Sequence, residues 1–121
     1  MAKNYEIAML IDFYGEMLTA KQRDFLEYYY NDDLSLSEIA ENEGITRQGV
    51  RDAIKRAETQ LQEMESRLGM AQRHEELRKR LTEIIECSNR IADYNLRHSI
   101  SKEISDDCVM IKSAAMTLLE T

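Results

Sequence analysis

Apolar residues return along this 121-residue chain at helical rather than strand-like intervals. Ile7, Leu10, Ile11, Tyr14 and then Leu18 fall at steps of three and four among polar Glu6, Asp12 and Glu16, which predicts a first helix over residues 4–14 ending near Gly15. Thr19 and Gln22 stand in capping-box register for a second helix through Tyr30, with Phe25, Leu26 and Tyr29 facing inward. Val50, Ile54, Ala57 and Leu61 form one buried stripe on a longer helix, which continues through Met64 and Leu68 to its first natural stop at Gly69. From Arg73 onward Leu77, Leu81, Ile84, Ser88 and Ile91 keep four-three spacing, and Ile104, Cys108, Ile111, Ala115 and Leu118 do the same. These are two heptad-like helices, separated by a polar stretch over residues 95–101 in which Ser99 or Ser101 caps, and a short turn pairs them antiparallel. Two helices alone are too thin to shield an apolar seam on each. The hairpin is therefore expected to pack on the N-terminal helices or on a second copy of itself.

The most specific punctuation lies in residues 34–61, LSLSEIAENEGITRQGVRDAIKRAETQL. Ser35 and Glu38 make an S-x-x-E capping box that opens a short helix near Leu36. Ile39 and Ala40 are its inward face, and Ala40 is small enough for a second helix to cross closely. Gly44 reads as a left-handed stop, and Thr46 caps the helix that follows. Cap, small residue, glycine, cap and apolar stripe in this order spell a helix-turn-helix.

Opposite the stripe the second helix presents polar groups. At about 100° per residue from Val50, Gln48, Asp52, Lys55 and Thr59 face outward with Arg51 and Arg56 beside them. Over residues 46–57, Arg47, Arg51, Lys55 and Arg56 stand against one acid, Asp52. An ordinary amphipathic helix can carry such a solvated face by chance. In a helix-turn-helix it suits DNA, because arginine and lysine neutralise phosphates and glutamine pairs with adenine. In that role Gln48, Asp52 and Lys55 face base edges while Arg47, Arg51 and Arg56 hold phosphates. Gly49, having no side chain, leaves room there for the duplex or a neighbouring helix.

Residues 19–61 resemble region 4 of bacterial sigma-70 factors, where a helix leads into S-L-x-E-I-A-x-x-x-G-I-T-R-x-x-V-R. Glu43 departs from that pattern, which usually has an apolar residue before the glycine. More closely, residues 4–69 resemble the YlxM family, also called UPF0122 or p13-like helix-turn-helix proteins. The resemblance implies a DNA-binding regulator, and it implies a link to the bacterial signal recognition particle pathway.

Composition supports an all-α fold, with no proline and four glycines. The expected division is a helix-turn-helix domain over residues 1–70 and a C-terminal helical hairpin over 71–121. Charge complicates the DNA assignment. Of the formal charge of −7, all falls in residues 1–65, which hold seven basic and fourteen acidic side chains. A DNA module ordinarily shows a broad basic footprint. Either the local recognition helix and a dimer suffice, or the motif is a docking scaffold for a protein, with the signal recognition particle GTPase or its RNA as the implied alternative partner.

The remaining chemistry is sparse. Tyr28, Tyr29 and Tyr30 point in three directions on a helix, so core packing is preferred to base stacking. Residues 31–33 read as a turn rather than a calcium loop. His74 and His98 lack partners at metal-ligand spacing, and Cys108 sits on an apolar stripe as an inert thiol. No phosphate-binding loop is present. The expectation is a cytoplasmic protein that is not an enzyme, with no catalytic residues, metal, cofactor, small-molecule substrate or membrane insertion.

Overall fold

In the computed structural model, which describes residues 3–120, the capping signals become helix ends. Asn4 caps α1 (Tyr5–Tyr14), its side chain accepting the Glu6 amide, and a single 3-10 turn over Gly15–Met17 follows. Thr19 and Gln22 form the reciprocal box that starts α2 (Ala20–Leu26). The helix does not simply run on to Tyr30. It widens into a π-helical turn over Glu27–Asn31, where the Asp32 amide reaches back to the Glu27 carbonyl at 3.0 Å. This wider turn buries Tyr29 and leaves Tyr28 and Tyr30 half-buried against the same core. All three tyrosines thus serve packing, and Asp33 closes the loop with φ 54.

Ser35 and Glu38 form the second reciprocal box, opening α3 (Leu36–Glu43). Gly44 ends it at φ 68, and the Ile45 amide bonds the Ala40 carbonyl at 3.2 Å. Such a left-handed residue costs a side-chain-bearing amino acid about 1–2 kcal/mol, which is why glycine stands there. Thr46 accepts the Gly49 amide at 3.0 Å and begins α4 (Arg47–Leu68). Gly69, again left-handed, ends it.

α4 is the axis of the first compact unit, Met1–Ala71, and α1, α2 and α3 all pack on it. Val50, Ile54, Ala57 and Leu61 are fully buried against Ile7, Tyr14, Leu26 and Ile39, as the four-three-four spacing predicts. Burying apolar area at roughly 25 cal/mol per Å² makes this stripe the main stabilising element of the unit.

The second unit, Gln72–Thr121, is an antiparallel helical hairpin of α5 (Met70–His98) and α6 (Lys102–Leu119). α5 begins three residues earlier than the apolar rhythm suggests, because Tyr14 Oη accepts the Met70 amide and the Glu65 carboxylate accepts the Ala71 amide. It also continues through His98, into the polar stretch expected to separate the two helices. Asn95 is a buried helical residue whose amide donates to the Ser101 carbonyl and Ser105 Oγ while accepting the Ser101 amide at 2.9 Å. Ser101, not Ser99, caps α6. The seam differs from the expected double stripe. Leu81, Ser88 and Asn95 meet Cys108 and Ala115 inside, with Ser88 Oγ donating to the Cys108 carbonyl. Leu77, Ile84, Ile91, Ile111 and Leu118 remain about half exposed. Small and polar residues occupy the inner layer, so the helices approach closely there and the bulkier positions are turned aside.

Candidate nucleic-acid interface

The face of α4 opposite its buried stripe is built by the same periodicity. Arg47, Gln48, Arg51, Asp52, Lys55 and Arg56 are all exposed, while Val50 and Ile54 between them are fully buried. Gln48, Asp52 and Lys55 lie opposite the stripe with Arg51 and Arg56 at its flanks, whereas Arg47, only about 60° from Val50, borders a hollow shared with Asp33, Ser35 and Glu38. Gln48 Nε2 donates to Asp52 Oδ1 at 2.9 Å, one turn along. That bond neutralises no charge but orients the amide, and pairing with a base edge requires Gln48 to exchange it. Lys55 lies 3.9 Å from the Glu58 carboxylate at a half-exposed position, a contact worth little in water. Among the described residues Arg47, Arg51 and Arg56 form no ion pair. Thr59 turns its hydroxyl inward to the Lys55 carbonyl at 3.0 Å and so withdraws from the face.

The start of α4 is unusual on stability grounds. A helix N-terminus carries roughly half a positive charge, and acidic residues there stabilise by about 0.3–1 kcal/mol. The first turn of α4 has no acid, and Arg47 occupies its first position. The dipole and the guanidinium therefore reinforce one another as an anion-attracting end. Gly49 has a different explanation from an approaching duplex. A Cβ there would lie 3.1 Å from Thr46 Oγ1 and 3.8 Å from Ile45 Cδ1, so the glycine accommodates the cap itself.

Two tyrosine–carboxylate pairs fix α4 from behind, and neither follows from local sequence. Tyr30 Oη donates to Glu58 at 2.5 Å and accepts the Asn4 amide. Fully buried Tyr14 donates to Glu65 at 2.6 Å, across 51 residues of sequence. Burial, then the bond to the carboxylate, raises the pKa of both phenols above the ordinary tyrosine value. Their protonated forms are favoured by folding, so the stability they contribute is present below about pH 10 and is lost as pH rises above it. Tyr30→Phe leaves Glu58, only 8% exposed, without its phenolic donor. The expected cost is about 1–3 kcal/mol in urea unfolding at neutral pH, with a shallower loss of stability above about pH 10 than in the wild type.

Among the described residues no cluster of three metal-ligating side chains occurs, and no helix is long and apolar enough to cross a membrane. Cys108 is buried in the hairpin seam, and Cys87 is exposed.

Comparison with known proteins adds to this geometry. Residues 1–99 match the model of the UPF0122 family, described as "Putative helix-turn-helix protein, YlxM / p13 like". The chain belongs to this family. Its helix-turn-helix, α3, Gly44 and α4, lies wholly within the matched residues. Similar UPF0122 proteins include TTE1463 of Caldanaerobacter subterraneus subsp. tengcongensis, 49% identical over 81 residues, covering 67% of this chain and 69% of the relative. The UPF0122 protein of Acetivibrio thermocellus is 47% identical over 85 residues, 70% of this chain and 73% of its own. That of Limosilactobacillus reuteri is 54% identical over 66 residues, 54% and 58% of the two chains.

Proposed function

We propose that this UPF0122 protein is a cytoplasmic DNA-binding regulator that lays α4 against the duplex. The observation that carries this is the first half of α4, where three exposed arginines form no ion pair among the described residues and the helix start attracts anions. Arg47, Arg51 and Arg56 hold phosphates, and Gln48, Asp52 and Lys55 face base edges in the major groove. Residues 1–70 do the reading, and the hairpin of 71–121 holds the protein together with a partner. Pull-down from lysate with and without nuclease tests the proposal. Duplex DNA recovered with the full chain and lost on nuclease treatment supports it, whereas protein partners that persist after nuclease with no recovered DNA contradict it.

A second possibility draws on the acidic surplus of residues 1–65, which weakens long-range attraction to phosphate. The helix-turn-helix then serves as a scaffold that modulates the signal recognition particle through its GTPase or its RNA. Charge reversal separates the two. Asp33 is poorly suited, because it pairs with Lys3 in the described structure, whereas Glu41 is exposed on α3. Glu41→Arg is expected to strengthen DNA binding by easing repulsion, read by fluorescence anisotropy at low salt. Weakened capture of a basic protein partner, with DNA affinity unchanged, favours the scaffold instead.

A further inference from the structure

The hairpin uses only half of its heptad pattern. In each helix the first core position closes the α5–α6 seam, and the second is left facing solvent at Leu77, Ile84, Ile91, Ile111 and Leu118. Both open rows lie on one side of the hairpin, since Ile84, Ile91 and Ile111 line a common shallow groove with Arg80, Glu83 and Cys87. Along α5 the row runs from Leu77 to Ile91, about 21 Å of helix. Contiguous apolar faces of this kind are rare on monomers and mark association surfaces.

We propose that this face mates with the same face of a second copy of the chain, forming an antiparallel four-helix bundle. This is independent of whether DNA is the ligand. Three features select a copy of the chain over a foreign partner. In a four-helix bundle each helix contacts two neighbours, and here, within the second unit, each helix packs on one other and carries a further apolar row that this packing leaves open. The missing pair of helices must carry the same open row, which a second hairpin supplies. Residues 72–121 hold eight basic and nine acidic side chains, so two hairpins meet with little net repulsion, while a partner recruited by charge would find almost none to complement. At the groove edge Arg80 is paired with Glu83 and Glu76 within its own helix, as suits a two-fold interface where each patch faces its own image.

Light scattering on the full chain at high-micromolar concentration is expected to give twice the chain mass. Ile84→Glu and Ile91→Glu place a charge in the proposed core at half-exposed positions. They are expected to raise the dimer dissociation constant at least roughly a hundredfold while helical circular dichroism is retained. Leu96→Glu, at a 75% exposed position outside the groove, keeps the dimer. Cys87 supplies a readout on the unaltered chain, because its alkylation should slow as protein concentration rises. A wild-type chain at single-chain mass, or an alkylation rate independent of concentration, overturns the proposal. So does a complex with an unrelated protein that Ile84→Glu abolishes while the chain alone stays monomeric.

Discussion

Replacing Arg47, Arg51 and Arg56 together by alanine is expected to flatten the salt dependence of DNA binding. Each phosphate contact contributes about 0.9 to the slope of log K against log salt, so loss of three makes the slope shallower by about 2.7. The affinity for any mixed-sequence duplex falls with it, at every sequence alike, because phosphate contacts carry no base information. The side chains are exposed and without ion pairs among the described residues, so the fold is left intact. Exchange to lysine preserves the charge and should keep most of the slope. Gln48→Ala has a different signature, a change of base preference worth about 1–3 kcal/mol at one position with the slope nearly unchanged. Fluorescence anisotropy over a salt series measures both. An identical slope for the wild type and the triple variant refutes phosphate contact by this face.

Ile54→Ala is expected to have the largest effect on stability, about 2–5 kcal/mol in urea unfolding. Ile54 is fully buried midway along the stripe where α1, α2 and α3 meet α4, and truncation leaves a cavity that no neighbour can fill without moving a helix. Arg51→Ala, three residues earlier at an exposed position beside the outward face, should change stability by less than about 0.5 kcal/mol. The contrast separates the two faces of one helix: one side maintains the unit, and the other is free to bind. A loss below about 1 kcal/mol for Ile54→Ala would contradict the packing described here.

Helix boundaries in the first unit, apart from the π-helical turn that follows Leu26, were legible because their signals are local. Thr19, Ser35, Gly44, Thr46 and Gly69 each act within one turn of their own position, and all five stand where their chemistry requires. The α4 stripe was legible for a related reason, since a period near 3.6 fixes which side faces the core. Long-range pairs were not. Nothing around Tyr14 or Tyr30 announces Glu65 or Glu58, whose contacts depend on how α1 and the π-helical turn cross α4. In the hairpin the heptads reveal two helices but not which row lies inside; small Ser88 and Ala115 decide that by allowing close approach, and Asn95, whose polarity places it between the helices, is instead a buried helical residue that clasps the turn. At the candidate interface the exposed side of α4 followed from periodicity. The Gln48–Asp52 bond also had a readable signal, four-residue spacing on one helix face.

Whether α4 meets the duplex is read by an amide NMR titration of the full chain with a mixed-sequence duplex of about 20 base pairs, long enough for two half-sites one turn apart. The largest shifts are expected on residues 46–56, at the start and outer face of α4, and they should diminish as salt is raised. Shifts confined to α1, α2 and α3, or none at all at low salt, would count against that placement of the duplex.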